Sequence, residues 1–158
     1  TEAMKALRKK EINDWADLLS CFPNTLILFD WETGNLENPY EEILIKLSAA
    51  SRGLLKIIQI KDGFAKAFDK ERDSCKVSFT VNKRNYDVSF SMNGDWLDSE
   101  LVNVLMRVVT EANVGLSLKG CYYLGDWIGY ILLTDVQEKE LQKFQPSLLM
   151  STSFNSNN

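Results

Sequence analysis

The stretch VSFTVNKRNYDVSFSM, residues 77–92, decides the fold. Val77, Phe79 and Val81 alternate with Ser78 and Thr80; beyond a polar turn at 82–85, Tyr86, Val88, Phe90 and Met92 alternate with Asp87, Ser89 and Ser91. A period of two sends alternate side chains to opposite faces of a strand, so the stretch predicts an antiparallel hairpin with one apolar and one wet face. The apolar face needs a cover, and the following segment supplies it. Leu97, Leu101, Val104, Leu105, Val108 and Ala112 recur at helical spacing behind Asp95 and Asp98, either of which can cap the helix, and Asn113 and Gly115 end it.

Working outward toward the C-terminus, two further strands are predicted at roughly 116–124 and 128–133, joined at Gly125 and Asp126. Thr134 and Gln137 then have the spacing of a capping box for a short helix that stops before Pro146. This half of the chain reads ββαββα. Toward the N-terminus, the apolar run 25–30 predicts a strand buried on both faces. Asn38, Pro39 and Glu41 read as cap, first helical residue and capping-box partner of a helix whose stripe is Tyr40, Ile43, Leu44, Leu47 and Ala50. Residues 54–60 are apolar without alternation and read either as a strand, the preferred reading, or as an extended connection; a strand would complete a β-α-β unit if it paired with 25–30. Asp62 is placed to cap a short helix carrying Phe64, Ala67 and Phe68. An amphipathic helix from Met4 to Phe22 is expected to open the chain, with Met4 as its natural start, and 147–158 to form a flexible tail. The expected architecture is α+β: a single domain over 1–146, with a central, mainly antiparallel sheet and helices packed on one face.

The composition constrains the chemistry. The 158 residues contain no histidine, and Cys21, Cys75 and Cys121 are too scattered for a metal knot or a disulfide framework. The commonest proton-transfer group near neutral pH is thus missing, and Cys121 has no base or cation nearby in sequence to activate it. Isolated glycines offer no phosphate cradle. No metal, cofactor or catalytic residue is assigned, and the chain is not read as an enzyme. With 18 Lys plus Arg against 22 Asp plus Glu the net charge is −4, which disfavours nucleic acid as a partner and favours a basic protein. The first twenty residues lack an apolar signal core and no run approaches a membrane span, so a cytoplasmic protein without membrane association is expected.

Three tryptophans each stand next to an acid at a predicted strand end: Asp30, Trp31 and Glu32; Asp95 and Trp96; Asp126 and Trp127. Exposed aromatics provide binding energy and flanking carboxylates attract a cationic partner, so these seven residues are the candidate partner-binding site. Asp95 and Asp98 also have a plainer use as helix caps, and a single tryptophan is often no more than the rim of a core. A carboxylate pair drawn from Asp30, Glu32, Asp95, Asp98 and Asp126 would be the basis of a hydrolase, the first alternative; a scaffold or oligomerisation module is the second.

Ser51, Arg52 and Gly53; Val77, Phe79 and Tyr86; Asp95 to Asp98; Tyr122, Tyr123 and Leu124; and Ile131 to Thr134 followed by Gln137 and Leu141 carry a resemblance that spans about residues 51–141. In this order they resemble a group of small bacterial proteins similar to the immunity proteins of polymorphic-toxin and contact-dependent inhibition systems. Similar proteins often have a Gln-containing or Gly-rich turn between the last two strands, where this chain has Gly125, Asp126 and Trp127, so an interface built on that turn would be altered. The resemblance implies a stoichiometric inhibitor that binds a cognate toxin domain, a basic nuclease being the best fit to an acidic binder, and it carries over no catalytic residues. Whether the protein is a monomer or a homodimer is left open.

Overall fold

The computed structural model describes residues 25–34, 36–124, 126–144 and 149; the helix expected over 4–22 and nearly all of the tail expected at 147–158 lie outside them. The fold is α+β. In chain order the elements are β1 (Leu26–Asp30), α1 (Pro39–Ala50), β2 (Ile57–Asp62), α2 (Phe64–Phe68), β3 (Ser74–Val81), β4 (Arg84–Ser91), α3 (Glu100–Ala112), β5 (Ser117–Leu124), β6 (Trp127–Leu133) and α4 (Asp135–Phe144).

The antiparallel expectation holds at every pairing, and the strands are shared between two three-stranded sheets, β1-β6-β5 and β2-β3-β4. No β-α-β unit forms, because β1 pairs with β6 while β2 pairs with β3. The hairpin has the register its alternation requires, with Phe79 opposite Tyr86, Val77 opposite Val88 and Cys75 opposite Phe90. Its loop is shorter than the four-residue turn expected: Asn82 (φ 47°) and Lys83 (φ 76°) are both left-handed, as a two-residue turn matched to strand twist demands. Asn82 suits that conformation and also holds down the approach to β2, its side chain accepting from Lys56 N–H (2.9 Å) and donating to the Leu54 carbonyl (2.9 Å).

One core joins the two sheets. Ile27 and Phe29 of β1, Ile128, Tyr130 and Leu132 of β6, the inward residues of β3 and β4, and the predicted stripes of α1 and α3 all belong to it. α1 packs against both β1 and β2; α3 packs against β5 and reaches β4 through Glu111, which accepts from the Tyr86 hydroxyl (2.9 Å) and pairs with Arg84 (3.3 Å). A smaller apolar cluster of Cys121, Ile131 and Leu133, with Leu26, Leu141 and Leu149 against it, uses the other side of β5 and β6, where α4 docks. The Thr134–Gln137 capping box is present in both directions, Thr134 N–H to Gln137 Oε1 (2.9 Å) and Gln137 N–H to Thr134 Oγ1 (3.3 Å).

The start of α1 departs from expectation. Asn38 makes no side-chain cap bond. The first-turn N–H of Glu41 instead donates to Asp62 Oδ2 (3.0 Å), while Asp62 Oδ1 accepts from Phe64 N–H (2.9 Å). One carboxylate thus caps two helices and pins β2 between them. An amide can accept at only one of these positions and would aim its own N–H groups at the other donor. Asp62→Asn is therefore expected to cost about 1–3 kcal/mol near neutral pH. Burial pushes the Asp62 carboxyl above its ordinary value of 3.8 despite the N–H donors around it. A folded-state value above the unfolded one gives a contribution that is complete below about pH 4 and is lost as the pH rises through the raised value. Urea unfolding from pH 3.5 to 7 should accordingly show the Asp62→Asn deficit widening in acid; a deficit that shrinks in acid would contradict this placement.

Candidate functional site

The three acid–tryptophan pairs, far apart in sequence, meet at one end of the β1-β6-β5 sheet. Asp30 lies opposite Trp127 in the β1–β6 register, so the end of β1 and the start of β6 are adjacent by strand pairing. Beyond Asp30 the chain continues as the middle ply of a three-ply arrangement. On one side Trp31 N–H donates to the Asp126 carbonyl (2.9 Å). On the other, Leu97 N–H donates to the Trp31 carbonyl (2.8 Å) and Thr33 N–H to the Asp95 carbonyl (2.7 Å), with Glu32 and Trp96 forming a β-bridge between them. The Thr33 hydroxyl donates to the same Asp95 carbonyl (2.7 Å), and the residue is buried.

All seven candidate residues fall within this platform, in different situations. Trp96 and Trp127 leave 40% and 44% of their surface in water, enough for a partner to cover. Trp31 is half-buried, edge-to-face on Phe29 with ring centres 5.3 Å apart, so its ring belongs largely to the core while its backbone is the hub of the platform. Glu32 and Asp126 are exposed; Asp30 and Asp95 are half-buried, and Asp30 Oδ1 accepts from Glu32 N–H (3.0 Å). Among the described residues no ion pair joins any of these four acids to a cation. Asp98 is set apart from them by its work as a cap: Oδ1 accepts from Glu100 N–H (2.9 Å), and Oδ2 accepts from Ser91 N–H (2.7 Å), closing the end of β4.

Sequence reasoning missed the residues that build this arrangement. The NGDW and LGDW tetrapeptides at 93–96 and 124–127 place their Asp-Trp pairs on either side of the 31–33 backbone. Thr33, a small polar residue just beyond an apolar strand, was the available signal for a buried side-chain-to-backbone tie.

Elsewhere, an open cavity of about 490 Å3 lies against α2, with Cys75 and Ala67 buried beneath Lys66, Glu71, Arg72, Asp73 and Lys76, and a groove of about 190 Å3 lies between α2 and the loop after β1. Neither is lined by Asp30, Glu32, Asp95, Asp98 or Asp126. Burial pushes the Cys75 thiol up to about 11 and Cys121 to about 12. Because the thiolate is the reactive species, both should stay unmodified by an aromatic disulfide reagent at pH 8 and react only once urea unfolds the chain. Rapid reaction of either in the native protein would show that its pocket opens. Among the described residues no group of three or more His, Cys, Asp or Glu could hold a metal ion, and no helix is long and apolar enough to cross a membrane. Compared with known proteins, the chain matches no family model, no curated protein and no solved structure.

Proposed function

We propose that this chain is an immunity-type binding protein that neutralises a cognate toxin domain in the cytoplasm by covering it, and that the acid–tryptophan platform is the covering face. The observation that supports the reading is the convergence of Asp30, Glu32, Asp95, Trp96, Asp126 and Trp127, from three separate stretches, on one end of a sheet. Two half-exposed tryptophans supply apolar contact, and the carboxylates around them favour a basic surface such as the substrate cleft of a nuclease. An acidic cover of this kind stands in for the polyanion such a cleft binds.

The test is a binding titration against the toxin domain encoded by the neighbouring reading frame. Trp96→Ala and Trp127→Ala should each weaken the complex at least about tenfold through faster dissociation, as truncation of a central aromatic does. Glu32→Lys with Asp126→Lys should slow association and flatten its salt dependence. Unchanged affinity and unchanged salt dependence across this set would refute the platform as the interface; absence of binding by the unaltered protein would refute the immunity reading.

A further inference from the structure

The groove between α2 and the β1–α1 loop adjoins the platform, because the chain leaving Thr33 runs directly into it. Its walls are apolar and partly uncovered: Leu36 is 44% exposed, and Phe68 is 48% exposed with its ring stacked on Phe64 at 6.1 Å and 18°. Glu37 and Asp69 also line it, both exposed, and among the described residues neither pairs with a cation. The volume of about 190 Å3 is below the roughly 300–1,000 Å3 of small-molecule sites. It suits one long side chain.

We propose that this groove is an anchor pocket for a single arginine side chain of the protein partner. A flat aromatic face beside two carboxylates matches the guanidinium group, which stacks on rings while directing its N–H fork at oxygens in its own plane. The aliphatic stem lies against Leu36, as long cationic side chains do when they bury their methylenes and keep the head in water. A neutral apolar side chain would gain nothing from the two carboxylates, and lysine, a compact and strongly hydrated charge, gains less from the ring. The inference rests on the reading of the platform as the face for a basic protein, and extends it from a general attraction to one defined contact.

The groove can be probed without the partner. NMR titration of the full chain with N-acetyl-arginine amide should give saturable shifts at Leu36, Ala65, Phe68 and Asp69, with a dissociation constant on the order of 1–10 mM. The uncharged isostere N-acetyl-citrulline amide and the lysine amide should each bind at least about fivefold more weakly. Phe68→Ala, or Glu37→Gln with Asp69→Asn, should remove the arginine response while the remaining spectrum keeps its native dispersion. No shifts up to about 100 mM, or an equal response to citrulline or lysine, would overturn the pocket. With the toxin domain in hand the two readings separate. Tight binding that Phe68→Ala and the Glu37/Asp69 pair leave unchanged removes the anchor and keeps the interface, whereas arginine binding without toxin binding keeps the pocket and removes the immunity reading.

Discussion

Phe90→Ala is expected to lower the unfolding free energy by about 3–5 kcal/mol, read as a drop of about 6–20 °C in thermal midpoint for a chain of this length. Phe90 is 1% exposed, and its ring lies 4.3 Å from Tyr40 at an interplanar angle of 4°. Tyr40 is in the first turn of α1 and Phe90 is in β4, so the stack fastens the helix that touches both sheets to the hairpin. The Tyr40 hydroxyl then accepts from Asp98 N–H (3.3 Å) at the start of α3. Truncating Phe90 removes the buried ring area, the stacking and the support of a tyrosine whose hydroxyl is itself committed. Against a total stability of about 5–15 kcal/mol typical of such domains, this is a loss of about a fifth or more. A loss below about 1 kcal/mol in urea titration would mean that the hairpin and α1 are joined mainly elsewhere.

Gly63→Ala tests a single backbone contact. Gly63 has φ −99°, a value any residue accepts, so conformational freedom is not the reason for glycine here. The reason is proximity: a Cβ at this position would lie 2.6 Å from the Lys76 carbonyl oxygen, against main chain that has no rotamer to change. Gly63 N–H donates to that same oxygen (3.0 Å), and the neighbouring Asp62 is tied at both of its carboxylate oxygens, so β2 and β3 cannot part to make room without breaking one of these bonds. At an unstrained position Gly→Ala stabilises by about 0.4–1 kcal/mol through the unfolded chain. Here a loss of about 2–4 kcal/mol is expected, the cost of overpacking plus a displaced strand. The sign of the change decides the matter, and chemical denaturation of the two proteins side by side gives it directly.

What the sequence made legible was whatever follows from local periodicity. The hairpin register follows from the alternation around Phe79 and Tyr86, the buried face of α1 from Tyr40, Ile43, Leu44, Leu47 and Ala50, and the capping box from Thr134 and Gln137. Contacts between distant segments were not legible. No local signal announces that Asp62, twenty-one residues beyond Glu41, displaces Asn38 as the cap of α1, nor that β1 pairs with β6 instead of β2. Gln59 (φ 55°) interrupts the β2–β3 register, which is why residues 54–60 lacked a clean alternation to read. The candidate site was legible as a repeated residue pair, Asp beside Trp, but the repetition could not say that the pairs share a surface. The resemblance motif Ser51, Arg52 and Gly53 has a local explanation: Arg52 (φ 55°) and Gly53 (φ 87°) turn the chain out of α1, and the buried Ser51 hydroxyl accepts from Leu55 N–H (2.9 Å) to close the loop.

The ties among the three plies of the platform run almost entirely between main-chain atoms: Trp31 N–H to Asp126, Leu97 N–H to Trp31, Thr33 N–H to Asp95. Main-chain atoms are common to all residues, so the identities at 32, 96, 126 and 127 can be rewritten in combination without dismantling the support on which they stand. Under the proposed reading of this platform as a covering face, its contact chemistry is separable from its scaffold, so the one can change while the other stays as it is.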